Sequence, residues 1–310
     1  MSIFNVSTVW NIDRHTEPAR VFEELAGLGF ERFELAWLSP EKFKKLKDPA
    51  ARRFTAGKVD SLHNFVPDTP VLPKGRWKGN AFMLTALDEE ERKLAVRYSI
   101  DTINNASELG AKAVVLHAGE PEYSGPMSEY LTALFRKGLR GTTAYAEVFD
   151  NIIKNRTERM PACYSQGLRS LDELNERAAR QKILLGLETR LRFEELACPD
   201  EMEDIFRRFE GGSFRYWHDM GHAFCQEQLG FVAEMEYLER FGDRLLGMHV
   251  HDVKNTEDHN SPGAGEIDYS KFIKYFKRSS VLKVFEIHHK SPAGSIVTGR
   301  KMLEELCLKR

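Results

Sequence analysis

Trp217-His218-Asp219-Met220-Gly221-His222, followed by Met248-His249-Val250-His251-Asp252 and then by Asp258-His259-Asn260-Ser261-Pro262-Gly263-Ala264-Gly265-Glu266-Ile267-Asp268, is the stretch whose reading decides the fold. Five of its residues, Asp219, His222, His249, His251 and His259, are hard or borderline metal ligands at the ends of apolar runs, not on polar helix faces. Two glutamates extend the pattern: Glu188 closes Ile183-Leu184-Leu185-Gly186-Leu187, and Glu286 closes Val281-Leu282-Lys283-Val284-Phe285. A ligand-type side chain therefore ends four successive strand-like segments, which is the geometry of a metal site at one rim of a barrel. Imidazole and carboxylate without thiolate suit Zn, Mn, Co or Fe and not a redox cluster.

Outward from this stretch, short β-type runs alternate with longer helical ones. The strand candidates are Phe4–Val9, Arg32–Ala36, Val59–Phe65, Ala113–His117, Ile183–Glu188, Phe214–His218, Leu245–His251 and Leu282–Ile287. Several are apolar almost throughout, as expected of parallel strands buried on both faces. Helices are expected over Glu17–Leu28, Asp88–Leu109, Glu227–Phe241, Asp268–Phe276 and Lys301–Leu308, from Pro near the start, Gly at the end and apolar residues at helical spacing. Eight strands alternating with helices predict an α/β fold, a (β/α)8 TIM barrel. The surplus length falls between Gly119 and Gln181. Tyr130–Leu139, Thr142–Lys154 and Ser170–Arg180 read there as separate helical pieces broken by Gly138, Gly141, Pro161 and Gly167, an elaborated fourth βα-connection on the ligand-bearing rim. Asp68–Gly79, with two prolines, two glycines and Trp77, reads as a long loop over the mouth.

A chain of 310 residues holds one large core or two modest ones. No segment looks like an interdomain linker and no repeat is found, so a single domain over 1–310 is expected. No apolar run approaches bilayer length, and the start, Met1 to Val9, has neither basic flank nor cleavage site. Cys163, Cys198, Cys225 and Cys307 lack Cys-x-x-Cys spacing, which points to a reduced, cytoplasmic setting without a disulfide framework. A net charge of −2 argues against a broad nucleic-acid surface.

Each ligand candidate has a plainer reading. An acid ending a buried strand can emerge into solvent or pair with an arginine, and Glu188 is followed by Thr189-Arg190. A lone histidine such as His63 or His117 is more often a hydrogen-bonded rim residue than a ligand. These readings weaken jointly, because every candidate sits at the C-terminal end of its strand, where barrel active sites lie. His249 and His251 share one face, and the deeper His249 is the favoured ligand. His218 has the opposite parity to Asp219 and reads as outward or structural. The Pro262–Gly265 loop lacks the lysine and register of a phosphate loop. Lys42, Lys44, Lys45 and Lys47 read as a solvated helix face, and Trp10 and Trp37 as barrel packing near the pocket.

Leu-Gly-Leu-Glu188-Thr-Arg, Asp219-Met-Gly-His222, His249-Val-His-Asp252 and the run from His259 to Asp268 resemble the xylose-isomerase-like TIM-barrel superfamily, the sugar-phosphate isomerases and epimerases together with the endonuclease IV type of apurinic endonucleases. The resemblance spans nearly the whole chain and is poorest over the insertion. It implies one divalent metal ion (Mn, Zn, Co or Mg) on Glu188, Asp219, His249 and Glu286, with Glu188 and Glu286 also moving the proton. It implies substrate contacts from His63, His117, Arg190, His222 and His259. The endonuclease branch carries three zinc ions, for which His63, His117, His222 and His259 stand at matching places. That branch has Asp-x-His where this chain has Glu257-Asp258-His259, a longer acid. In some epimerases an arginine follows the strand-seven histidine, and Lys254-Asn255 stand there in this chain.

The first expectation is a metal-dependent isomerase or epimerase of a small polyhydroxy carbonyl substrate, phosphorylated or not, acting through an enediolate. The alternative is an abasic-site phosphodiesterase with multinuclear zinc, in which Arg136, Lys137, Arg140, Lys154, Arg156 and Arg159 would grip DNA despite the interleaved Glu147, Asp150 and Glu158. A non-catalytic metabolite-binding barrel fits the complete ligand set less well. Neither a membrane nor nucleic acid is an expected partner, and self-association into a homo-oligomer is left open.

Overall fold

Eight parallel strands close into a barrel in the order β1-β10-β7-β6-β5-β4-β3-β2. They are β1 (Asn5–Ser7), β2 (Phe33–Leu35), β3 (Val59–His63), β4 (Ala113–Leu116), β5 (Leu184–Glu188), β6 (Phe214–Asp219), β7 (Leu245–Val250) and β10 (Leu282–Phe285), with a small antiparallel hairpin of β8 (Asp252–Lys254) and β9 (Glu257–Asn260) at the rim. The computed structural model describes residues 2–121 and 127–309. All eight expected strands are present, each a few residues shorter or longer than read from the sequence.

Helices α1 (Pro18–Gly27), α2 (Pro40–Lys45), α3 (Pro49–Thr55), α4 (Glu89–Leu109), α5 (Met127–Arg136), α6 (Thr143–Gln181), α7 (Pro199–Arg208), α8 (Met220–Leu229), α9 (Glu236–Phe241), α10 (Ile273–Phe276) and α11 (Ala293–Leu308) surround the strands. No helix among the described residues is long and apolar enough to cross a membrane.

The twofold period of a strand turns the barrel interior into layers. Val115, Gly186, Trp217, Gly247 and Val284 share strand parity with His117, Glu188, Asp219, His249 and Glu286, which follow two residues later along the chain. Trp217 is fully buried and fills the barrel with Ala113, Val115, Leu246 and Val284 around it. Its indole explains two glycines: a Cβ on Gly186 would lie 2.9 Å from Trp217 Cε3, and one on Gly247 would overlap the same ring. The apolar plug beneath therefore fixes the height at which the polar layer stands.

Three helix expectations are corrected. Glu227–Phe241 is not one helix. Asp219 caps α8 directly after β6, accepting the His222 N–H at 2.7 Å, and Gly230 in the left-handed region (φ 91°) ends it before α9 begins. The insertion is not three pieces but α5 followed by one helix, α6, of 39 residues that runs through Pro161 and Gly167. Packing of its inner face on α4 and β5 outweighs the roughly 3 kcal/mol cost of an interior proline. Gly167 is a contact point and not a break, since a Cβ there would lie 3.0 Å from Leu196 Cδ2 and 3.2 Å from Thr85 Cγ2. The last helix starts at Ala293, earlier than the expected Lys301. Asp268 caps its turn as expected, donated to by Ser270 N–H at 3.0 Å, although that turn opens as a 3-10 segment before α10.

Candidate active site

The rim layer converges on His249. Its Nδ1 lies 2.8 Å from Glu188 Oε1, 3.1 Å from Glu286 Oε2 and 3.5 Å from Asp219 Oδ2. On the far side, His249 Nε2–H donates to Glu34 Oε1 at 3.2 Å, and Ser61 Oγ donates to Glu34 Oε2 at 2.8 Å. All of these side chains are buried. Burial alone would lower the pKa of His249, yet Glu286, Glu34 and Glu188 outweigh it and raise that pKa well above the ordinary value. Glu188 and Glu286 are driven the other way. Burial raises both, but Arg190 and His249 hold Glu188 well below the usual carboxylate range, and His249, His259 and His63 do the same for Glu286.

His117 completes the inner group. Its Nδ1–H donates to Asn80 Oδ1 at 2.8 Å, and the orientation of that amide is fixed because Asn80 Nδ2 donates to Glu195 Oε1 at 3.5 Å. Burial, then Arg190, push the His117 pKa down to about 3, so the ring is neutral. Its Nε2 lone pair consequently faces the Glu188 Oε2 carboxylate oxygen at 2.8 Å, two acceptors directed at each other. A divalent cation is what such a donor set suits. His63, Glu188, His249 and Glu286 offer ligand atoms all within 4.8 Å of one another, a mixture of imidazole nitrogen and carboxylate oxygen fit for Zn, Mn, Co or Fe.

Glu188, His249 and Glu286 gather as expected, and His63, expected as a substrate contact, joins them. Asp219 Oδ2 lies 3.5 Å from His249 Nδ1, and Asp219 gathers with His222 and His259 in a second group of ligand-type atoms. His222 Nδ1–H donates to the Thr189 carbonyl at 2.9 Å, which leaves Nε2 for the cavity. Arg190 is buried and already paired, 2.8 Å from Glu188 and 3.1 Å from Glu195, so it pins the Glu188 carboxylate as well as lining the cavity.

His251 is not a member of either group. Its Nδ1 accepts the His259 backbone N–H at 2.8 Å, so Nε2 carries the proton and donates to Asp219 Oδ1 at 2.9 Å. The glycine of Asp219-Met-Gly-His222 exists for this ring, since a Cβ on Gly221 would collide with it. The same contact helps hold His259 at φ 55°, a left-handed conformation unusual for a non-glycine residue. Asp252 staples the Pro262–Gly265 loop by accepting from Gly263 N at 2.8 Å and Ile267 N at 3.1 Å. His218 is structural, as expected, paired with Tyr216 OH at 2.6 Å.

Sequence reasoning missed Glu34, Asp258 and His288. The acid beside His259 is Asp258, with Oδ2 3.2 Å from His259 Nδ1 and 3.6 Å from His222 Nε2, whereas Glu257 points outward and is 74% exposed. Asp258, His259 and His288 form a third group with metal-ligand spacing. Parity leaves the direction of Glu34 undecided in a strand of three residues, and the choice between Glu257 and Asp258 depends on how the β8–β9 hairpin folds.

The groups open into a cavity of about 940 Å³ lined, among the described residues, by rim histidines and acids and also by Trp37, Trp77, α5 and the segment after β5. Trp77 lies over His117, ring centroids 5.3 Å apart, as the long loop was expected to do. Trp10 instead is buried packing, its Nε1–H donated to the Ser291 carbonyl at 2.9 Å.

Comparison with known proteins agrees with this architecture. MJ1311 of Methanocaldococcus jannaschii, an uncharacterized protein, is 25% identical over 224 residues, a match spanning 71% of this chain and 64% of that one, somewhat under two thirds of its length. Among solved structures, a D-tagatose 3-epimerase-like protein superposes with a TM-score of 0.66 at 21% identity, covering 99% of this chain and 97% of its own. A 3-keto-D-glucoside 4-epimerase from E. coli gives 0.67 at 14% identity with both chains fully covered. The profile of the xylose isomerase-like TIM barrel family matches residues 22–306. A closed eight-stranded barrel, a histidine- and carboxylate-lined C-terminal rim and a profile match over nearly the whole length together make this chain a member of the xylose isomerase-like TIM barrel family.

Proposed function

We propose that the protein is an isomerase or epimerase of a small polyhydroxy carbonyl compound that works with one divalent metal ion held by Glu188, Asp219, His249 and Glu286, with His63 in reach of the same position. The observation that carries this reading is the pair of buried glutamates, Glu188 and Glu286. They come from strands separated by β6 and β7 and both face His249 Nδ1, at 2.8 and 3.1 Å. A bound divalent cation would supply Lewis-acid polarisation of a carbonyl and its neighbouring hydroxyl.

Everything else is work for the chain's own residues. One glutamate, ionised, removes the proton on the carbon next to the carbonyl, and the other, having taken up a proton from water, delivers one to that carbon from the opposite face, each needing only hydrogen-bond reach of it. Glu34 fixes the His249 ring, Arg190 fixes Glu188, and His117 and His222 present nitrogen atoms toward substrate oxygens. Trp37 and Trp77 restrict water at the mouth.

One observation favours a second reading, a multinuclear phosphodiesterase on abasic DNA. The Asp219/His222/His259 and Asp258/His259/His288 groups offer further metal positions, and Asp258 supplies the short acid that Glu257 does not. Against it, two of the insertion arginines are spent internally. Arg136 donates to Asn255 O at 3.0 Å and Thr256 Oγ1 at 2.9 Å, and Arg156 to Phe193 O at 2.8 Å and Glu201 at 2.5 Å. Elemental analysis of the purified protein with an abasic-duplex nicking assay separates the two. One tightly held ion and no nicking is the expected result, and three zinc ions with metal-dependent nicking would replace the first reading by the second.

A further inference from the structure

We propose that Lys290 anchors an anion subsite in the wall of the cavity, and that the substrate is a sugar phosphate with its carbonyl end at Glu188 and Glu286 and its phosphomonoester at Lys290. The proposal rests on the isomerase reading for the reacting end of the substrate and goes beyond it for the other end. A cavity of about 940 Å³ has room for both, since roughly 300–1,000 Å³ encloses drug-sized ligands.

Among the basic side chains of the cavity, only Lys290 is unengaged. Besides histidines, Arg136, Arg190, Arg192 and Lys290 line it. Arg190 lies 2.8 Å from Glu188 and 3.1 Å from Glu195, and Arg192 lies 3.3 Å from Glu120 and 3.6 Å from Glu129. Arg136 stands 3.9 Å from Glu257. A phosphate at any of these guanidinium groups would compete with a resident carboxylate. Lys290 has neither an ion pair nor a hydrogen bond to any described residue, so an anion there displaces only water.

An exposed lysine is ordinarily a solvated one, but this one stands on a fixed base. His288 N–H donates to the His259 carbonyl at 2.9 Å, Arg14 to the His289 carbonyl at 2.6 Å, and Trp10 Nε1–H to the Ser291 carbonyl at 2.9 Å. The chain on both sides of Lys290 is therefore pinned, to β9 and to the β1–α1 connection. Ser291, next to it, lines the cavity with a hydroxyl that has no partner among the described residues. Ser261 and Ser295, their Oγ atoms 2.8 Å apart, line the same cavity. An ammonium with hydroxyls around it suits the several oxygens of a phosphate dianion, whereas a neutral hydroxymethyl end would leave that charge unmatched. These groups come from the connections after β7 and β10, the seventh and eighth barrel strands, where phosphate sites commonly form in barrels of this architecture.

The test is calorimetric titration of the metal-loaded protein, parent and Lys290→Gln, with fructose, tagatose, ribulose and xylulose, with their terminal phosphates, and with the keto acid tagaturonate. At least one phosphate is expected to bind roughly tenfold or more tightly than its own free sugar, and Lys290→Gln should cut that ratio by roughly fivefold or more. The proposal is overturned if no phosphate reaches that advantage, or if tagaturonate binds more tightly than every phosphate. It is also overturned if the ratio falls by less in Lys290→Gln, as it would for a phosphate that ligates the metal ion instead. Binding and turnover separate the two claims. A Lys290-dependent phosphate preference without interconversion of any sugar or phosphate upholds the subsite and sinks the isomerase reading, whereas interconversion of free sugars with no phosphate preference sinks the subsite alone.

Discussion

Glu195→Gln gives the most quantitative handle on how the site is held together. Glu195 is 3% exposed, 3.1 Å from Arg190 Nε, and accepts the Arg192 backbone N–H at 3.1 Å. Burial pushes its pKa up, but Arg190 and Arg192 win and bring it from the ordinary 4.5 down to about 2. That difference corresponds to about 3 kcal/mol of native-state stability at neutral pH. The folded pKa is depressed, so the contribution is complete above about 4.5 and is lost as pH falls toward 2, with less than half of it left near pH 3. Gln is neutral and nearly isosteric, so the variant should be less stable than the parent by about 3 kcal/mol at pH 7 and by less than half that near pH 3. Paired urea denaturation curves at the two pH values measure the gap, and other titrating groups cancel in the comparison. A gap that stays constant or widens on acidification would refute the argument, because it would show that the Glu195 charge is not what stabilises Arg190 beneath Glu188.

Gly247→Ala should cost about 1–3 kcal/mol in the same denaturation assay, because its methyl group meets the Trp217 indole, and the cost should shrink in a Trp217→Phe background. An undiminished cost there would show that Trp217 is not the obstruction. Glu286→Gln and Glu188→Gln should each lower kcat by about 10²–10⁴ with a smaller change in KM, as expected for loss of a proton-transfer group. A change confined to KM would assign them to binding alone.

The barrel was legible because parallel strands buried on both faces appear as short apolar runs, and because the ligand-type residues all fall just where those runs end. Glu188, His249 and Glu286 could be found from that pattern alone. Glu34 could not, since Phe33-Glu34-Leu35 shows only a polar residue in a strand, and its direction emerges once Glu34 pairs in register with Ser61. Asp258 was hidden for a similar reason: a two-residue choice between Glu257 and Asp258 depends on how the β8–β9 hairpin folds over the mouth. The continuity of α6 was invisible because Pro161 and Gly167 carry local break signals, while the packing that overrides them comes from α4, Leu196 and Thr85, all remote in sequence. Asp219 was read as a ligand, and its second duty as the cap of α8 was missed, which displaced the expected helix by several residues.

The central claim, metal-dependent proton transfer between two glutamates on a sugar, is tested most directly by incubating the metal-loaded protein with a panel of ketoses, aldoses and their phosphates in D2O and following them by NMR. Interconversion of at least one epimeric or aldose–ketose pair, with deuterium appearing on the carbon next to the carbonyl and both signals abolished in Glu286→Gln, is the predicted result. No interconversion of any member of the panel, or interconversion that is unlabelled and survives in both Glu188→Gln and Glu286→Gln, would contradict it.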